Sequence, residues 1–192
     1  MKSMKSMIKV VKKVSGGYVK NAEMIRKEFP GAAVLDLTED GMMRKLDPGF
    51  PLGRIGVPGM EGEYGLSLKG IWEGLKVFDK KDVSDSKWWR NERLLGKERW
   101  CRSYGKLIGI RIGDEVVDME KGKEIFEMMY EGILKERFRE DVEIIRKEGV
   151  KRAVFLLDYE EGDERRWIDH VGILKRVVED DGINDNNNEV AE

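Results

Sequence analysis

Apolar residues recurring at three- and four-residue steps mark the clearest element of the chain. Phe126, Met129, Tyr130, Ile133, Leu134, Phe138, Val142 and Ile145 make one stripe, which predicts a long amphipathic helix over about 123–147. Its charged residues read as a solvated face. Residues 153–159 (AVFLLDY) are nearly all apolar and predict a core strand, and 167–178 predict a last amphipathic helix. Near the start, residues 8–14 (IKVVKKV) alternate as a strand does and run into Ser15-Gly16-Gly17. Asn21 suits the N-cap of a helix over 22–29, which Pro30-Gly31 stops, and 32–38 (AAVLDLT) predict a second buried strand. Together residues 8–38 form a strand–helix–strand unit compatible with a parallel pair.

The middle of the chain is less regular. Residues 39–64 hold Pro48, Pro51, Pro58 and many glycines, and a loop of that length in a compact domain is usually functional or mobile. Ser67 can cap a helix running on to Phe78. On that helix Leu68, Ile71, Leu75 and Phe78 form a core stripe, while Lys69, Trp72, Glu73 and Lys76 gather on the other side. A short helix is expected over 87–95. A hairpin is expected where 107–112 and 115–119 flank Gly113-Asp114. The sum is an α+β fold, a mixed sheet with flanking helices, in one domain over 1–179. An acidic, Asn-rich tail at 180–192 is expected to be disordered.

Composition narrows the class. The 192 residues are 40% apolar and 39% charged, with a formal net charge of -2, so no strong global field draws the chain to nucleic acid or to a membrane surface. There is no Gln, one Thr (Thr38), one Cys (Cys101) and one His (His170). Scarce amides with abundant Lys, Glu and Arg are the pattern of hyperthermophile proteins. A single Cys excludes an internal disulfide and a Cys-based zinc cage. No apolar run approaches the length of a membrane span, and lysines interrupt the apolar residues after Met7, so no signal-peptide core exists. The expected location is the cytoplasm.

The polar side of the 65–78 stretch carries the most suggestive chemistry. An aromatic among alternating charges after a Pro/Gly loop can floor a pocket, with Trp72 stacking on a planar ring, Glu73 acting on a developing charge and lysines holding phosphate. From spacing alone the simpler reading is plain surface pairs, Lys69–Glu73 and Glu73–Lys76. Cys101 has no activating neighbour in sequence and reads as inert. His170, the lone imidazole, rules out a multi-His metal site and is more simply structural. Asp158 ends the core strand, a position that often faces a ligand crevice in open α/β sheets. The acidic run after it offers oxygens but not the spacing of an EF-hand, and no metal or other cofactor is expected. Residues 80–102, with Trp88, Trp89 and Trp100 among arginines, suit either base stacking or an arginine-rich packed turn, and nucleic acid is the less favoured partner. Neither a G-x-G-x-x-G nor a G-x-x-x-x-G-K-[ST] loop is present.

The stretch GLSLKGIWEGLKVF resembles the signature helix of the NADAR (ybiA-like) superfamily, a segment of the form VEHAYQAxKF. Trp72 falls on its aromatic, Glu73 on its Gln and Lys76 on its Lys. Residues 46–58 (LDPGFPLGRIGVP) are similar to the N-S-F-Y-P-like loop before that helix. Residues 104–111 (YGKLIGIR) resemble the A-K-x-x-G-R segment, and the helix ending in Lys135-Glu136-Arg137-Phe138 resembles M-x-x-x-L-x-x-K-F. The resemblance covers about 45–179, with 8–38 as an addition. A closer likeness is to an uncharacterised prokaryotic family with a G-I-W-[QE]-G-L-K-V-F core. The departures fall on the chemistry: Lys69 stands where the superfamily has a helical Glu, Gly70 where it has His. The resemblance implies cleavage of an N-glycosidic bond in a small nucleotide-like ligand, of ADP-ribose type or an intermediate of a riboflavin pathway. Glu73 or Asp158 would be the carboxylate, with Trp72, Lys69, Lys76, Arg54, Arg111 and His170 binding substrate. A nucleotide- or nucleic-acid-binding protein without chemistry is the alternative.

Overall fold

The computed structural model describes residues 7–14, 17–37, 43–81, 84–95, 97–99, 101–158 and 167–180. In chain order the elements are β1 (Ile8–Lys12), α1 (Gly17–Glu28), β2 (Ala33–Asp36), β3 (Ile55–Gly56), β4 (Tyr64–Gly65), α2 (Leu68–Leu75), β5 (Lys76–Phe78), α3 (Lys87–Arg90), β6 (Leu107–Ile112), β7 (Glu115–Val117), α4 (Met119–Arg137), α5 (Arg139–Lys151), β8 (Val154–Asp158) and α6 (His170–Glu179). The fold is α+β, with mixed sheets flanked by helices.

Strands β1 and β2 do not pair with each other. β8 lies between them, parallel to both, with Val10 opposite Leu156 and Val34 opposite Phe155. The N-terminal unit therefore shares its sheet with the strand read as the best core strand, and all five residues of β8 are buried. Alternation along the strands divides two faces. Val34, Phe155 and Leu157 pack with Ala22 and Ala32 under α1, whereas Ile8, Val154 and Leu156 join the main core with α5 and α6.

Helix α1 starts at Gly17, earlier than the cap assigned to Asn21. Gly17 takes the left-handed conformation (φ 71°) that only glycine adopts without strain. Asn21 instead sits buried inside the helix. Its Nδ2 donates to Val14 O and Gly17 O, and its Oδ1 accepts from Val14 N, which fixes the end of β1 to the helix.

The antiparallel sheet β5-β6-β7 contains the hairpin expected over 107–112 and 115–119, but its second strand ends at Val117, and Met119 already belongs to α4. The single long helix expected over 123–147 is two helices, α4 and α5, parted at Phe138. The apolar stripe continues across the break, because Phe138 stays buried between Leu134 and Val142. Glu140 and Asp141 in the first turn of α5 favour a fresh helix start, since carboxylates stabilise N-terminal dipoles. Helix α6 begins at His170 rather than 167, with Asp169 as N-cap accepting from Gly172 N at 3.0 Å. The expected short helix over 87–95 is α3 followed by a 3-10 turn at Glu92–Leu94. Among the described residues no helix is long and apolar enough to cross a membrane. Thr38, Trp100 and the tail 181–192 lie outside the described residues.

Candidate functional site

Helix α2 has no solvent face: all eight of its residues are buried. Ser67 caps it as expected, its Oγ accepting from Gly70 N at 3.0 Å. Leu68, Ile71 and Leu75 are fully enclosed in the core. Gly70 and Gly74, one turn apart, let α3 approach the helix backbone. A Cβ on Gly74 would lie 2.2 Å from the Trp89 ring, and one on Gly70 would lie 2.8 Å from Trp88 O. Beyond Leu75 the chain straightens into β5, so the helix ends three residues before Phe78. Pairing of Lys76 with Ile110 and Val77 with Gly109 takes these residues into the sheet.

The polar stripe is consequently an interior feature, which removes the surface-pair alternative. Glu73 is 2% exposed. Its Oε2 accepts from Lys76 Nζ at 2.6 Å and from Arg99 N at 2.7 Å, while Oε1 accepts no hydrogen bond from the described residues. Arg99, wholly buried, donates through one guanidinium nitrogen to Gly74 O (2.7 Å) and Lys76 O (3.1 Å). It thereby satisfies carbonyls at the end of α2 that the helix itself leaves unpaired. Burial pushes the Arg99 guanidinium below its ordinary pKa, and Asp85, Tyr104 and Glu73 oppose that shift.

Lys69 does not pair with Glu73. Its backbone N–H donates to Pro48 O at 3.0 Å, and the 47–50 turn lies over its side chain, with a Cβ on Gly49 falling 3.8 Å from Lys69 Cδ. Asp47 holds that turn by accepting from Gly49 N at 2.6 Å.

Trp72 is a core ring rather than an open pocket floor. It is 2% exposed and packs edge-on against Phe126 (centroids 5.1 Å apart) and tilted against Trp167 (5.0 Å). Gly122 makes room for it: a Cβ there would lie 3.5 Å from the Trp72 ring. A planar ligand reaches this indole only by displacing a protein ring.

The remaining candidates lie on other elements. Asp158 ends β8, wholly buried, and is paired with Lys12 Nζ at 2.5 Å. On the opposite face of the same sheet end, Asp36 pairs with Lys13 at 3.1 Å. The helix after β1 covers one face and α6 covers the other, so Lys12–Asp158 sits where neighbouring strands send the chain to opposite sides. Ligands of open α/β sheets bind at such places. Arg54, at φ 35°, lies on the exposed loop before β3 with its guanidinium 4.5 Å from the Tyr64 ring centre. Three successive carbonyls there, of Leu52, Gly53 and Arg54, accept from Arg137. Arg111, within β6, donates to Asp114 O. His170 is buried at the start of α6, 6.5 Å from the Tyr130 ring centre.

Of the expected site residues, then, Glu73 and Lys76 are in contact, Trp72 and Lys69 share the helix of Glu73, and Asp158 ends a strand of the parallel sheet. Arg99, Lys12, Lys13 and Asp36 were not singled out individually from sequence. The arginine-rich stretch turns inward at Arg99, and Arg90 pairs with Glu63. Among the described residues no three His, Cys, Asp or Glu side chains group as a metal site.

No curated protein and no solved structure matches the chain. A family model matches residues 18–169, from within α1 to the cap of α6, and the chain belongs to that family, DUF6939, a family of unknown function.

Proposed function

We propose that the chain is an N-glycosidase-like hydrolase that acts in the cytoplasm on a small nucleotide derivative, of ADP-ribose type or a riboflavin-pathway intermediate. The observation that carries this reading is Glu73: a carboxylate 2% exposed, with one oxygen held by Lys76 and Arg99 N and the other accepting nothing from the described residues. Cleavage of a ribosyl C–N bond passes through a cation-like centre at the anomeric carbon. A fixed, ionised carboxylate beneath that centre lowers the barrier without a metal. The bond's electron pair leaves on the base nitrogen, which gains a proton, and water oxygen bonds to the anomeric carbon. Lys76 Nζ, 2.6 Å from Oε2, orients the carboxylate.

The test is chromatographic detection of free base from ADP-ribosyl and ribosyl-pyrimidine compounds. Release lost in Glu73→Gln supports the assignment, and wild-type inactivity across a broad nucleotide panel removes it. A second reading, a binding protein without chemistry, is favoured by Lys69, which stands where the resemblance has a helical Glu. Tight binding of ADP-ribose with no base released decides for that one.

A further inference from the structure

Among the described strands the order β1-β8-β2 leaves the outer edge of β2 without a neighbour. A groove of about 350 Å³ lies along that edge, lined by the successive residues 31–35. Backbone groups of a strand alternate between its two sides. Ala33 N donates to Ala153 O, toward β8, so the backbone groups of Ala32 and Val34 point the other way, to the groove. Tyr18 Oη donates to Val34 O at 3.2 Å and blunts the edge at that point. Ala32 O and Val34 N have no such cover, and neither has a partner among the described residues. They are the two groups that one residue of an added parallel strand engages: its N–H donates to Ala32 O and its C=O accepts from Val34 N.

The rest of the lining sets the charge of an occupant. Arg26 comes to the groove from α1, over one face of the sheet, and Arg152 from the end of α5, over the other. Arg26 is exposed and forms no hydrogen bond or ion pair with the described residues. Arg152 shares Glu148 with Lys151, two cations on one carboxylate. No acidic residue lines the groove. The two guanidinium groups bracket the strand edge instead of converging on one point, which suits an extended chain carrying carboxylates better than a single small anion. A second copy of this chain, β2 against β2, would set arginines against arginines.

We infer that the β2 edge is a docking site for an extended acidic peptide segment of a partner protein, which adds a strand to the parallel sheet. At the rise of a strand, residues 31–35 span ~13 Å, so about five partner residues lie alongside. Main-chain bonds to Ala32 O and Val34 N hold the segment. Its carboxylates, on the two faces that successive side chains occupy, meet Arg26 and Arg152. The surface is independent of α2 and of any chemistry there.

The experiment titrates the ¹⁵N-labelled full chain with the capped peptide VTEETV, whose adjacent acids point to opposite faces, and with its charge-reversed form VTKKTV. The acidic peptide should bind, more weakly as salt rises. It should shift the Val34 amide signal and slow exchange of that amide with solvent. Arg26→Glu, an exposed change that breaks no bond in the fold, should weaken VTEETV by about fivefold or more and strengthen VTKKTV. No binding of VTEETV at millimolar peptide, equal binding of VTKKTV to wild type, or affinity unaltered by Arg26→Glu overturns the inference. Binding that leaves the Val34 amide unmoved is charge attraction without strand addition and overturns it too. Concentration-dependent shifts at Val34 without peptide, with a dimer in sedimentation, would make the occupant a second copy and likewise overturn the acidic partner.

Discussion

The molecule buries carboxylates against lysines in two places, and the bookkeeping differs. At the C-terminal end of the parallel sheet Asp158 pairs with Lys12 and Asp36 with Lys13. The Lys12 side chain is 42% exposed, so much of its charge remains in water. Along α2 the carboxylate of Glu73 is buried with both of its partners, Lys76 and the Arg99 N–H, largely withdrawn from solvent, and Asp85 also bears on the Arg99 charge. Balanced pairs with a solvated partner are what a sheet end needs to hold its strands together. A buried carboxylate whose partners are also buried depends on them more heavily than one whose partner stays in water.

Substitutions can break this contrast, beginning with the largest effect. Glu73→Ala should cost ~3–5 kcal/mol in chemical denaturation, because it strands Lys76 and the Arg99 N–H in the interior. Under the proposed function it should also cut base release by at least ~100-fold. At the sheet end, Asp158→Asn should cost ~1–3 kcal/mol, since Lys12 retains solvent when its partner is neutralised. Base release by the surviving folded Asp158→Asn protein should be unchanged; its abolition would move the catalytic carboxylate from α2 to the sheet. Gly74→Ala drives a methyl into the Trp89 ring and should cost ~1–3 kcal/mol through displacement of α3, read as a lower denaturation midpoint.

The smallest effect is electrostatic and lies on the surface. Hydrogen bonds from Arg152 and Lys151 hold the Glu148 carboxyl below its ordinary pKa. A depressed folded-state value means the stabilisation is present above the unfolded-state pKa and is lost as pH falls through the folded-state one. Glu148→Gln should therefore lower the melting temperature by only ~1 °C at neutral pH. The difference should close on acidification below the carboxylate range; a persistent gap would assign the effect to packing.

Periodicity made α2 legible where the signal is local. Ser67 as cap and Leu68, Ile71 and Leu75 as core stripe follow from spacing alone. The other side of the helix reads from sequence as a pocket floor or as surface pairs, because its cover comes from distant sequence: Phe126 and Trp167 over Trp72, the 47–50 turn over Lys69, Arg99 over Glu73. The Gly70–Gly74 spacing was visible, and it signals close approach of another segment, but nothing local identifies Trp89 as the arrival. Lys76 reads as helical until its pairing with Ile110 is known. The break at Phe138 hides because the apolar stripe continues through it, and only Glu140-Asp141 betrays a second helix start. Asp158 was found by its place at a strand end, whereas its partner Lys12 is 146 residues away and has no sequence signature.

The insertion of β8 between β1 and β2 has a consequence for how the chain is made. During synthesis the first two strands emerge early, yet each waits for a partner that is translated only after α5. Until then both present unpaired strand edges, the feature most prone to capture by another chain. Their contacts are among the most sequence-distant in the fold, so the sheet must close late and slowly relative to the local α4–α5 helices.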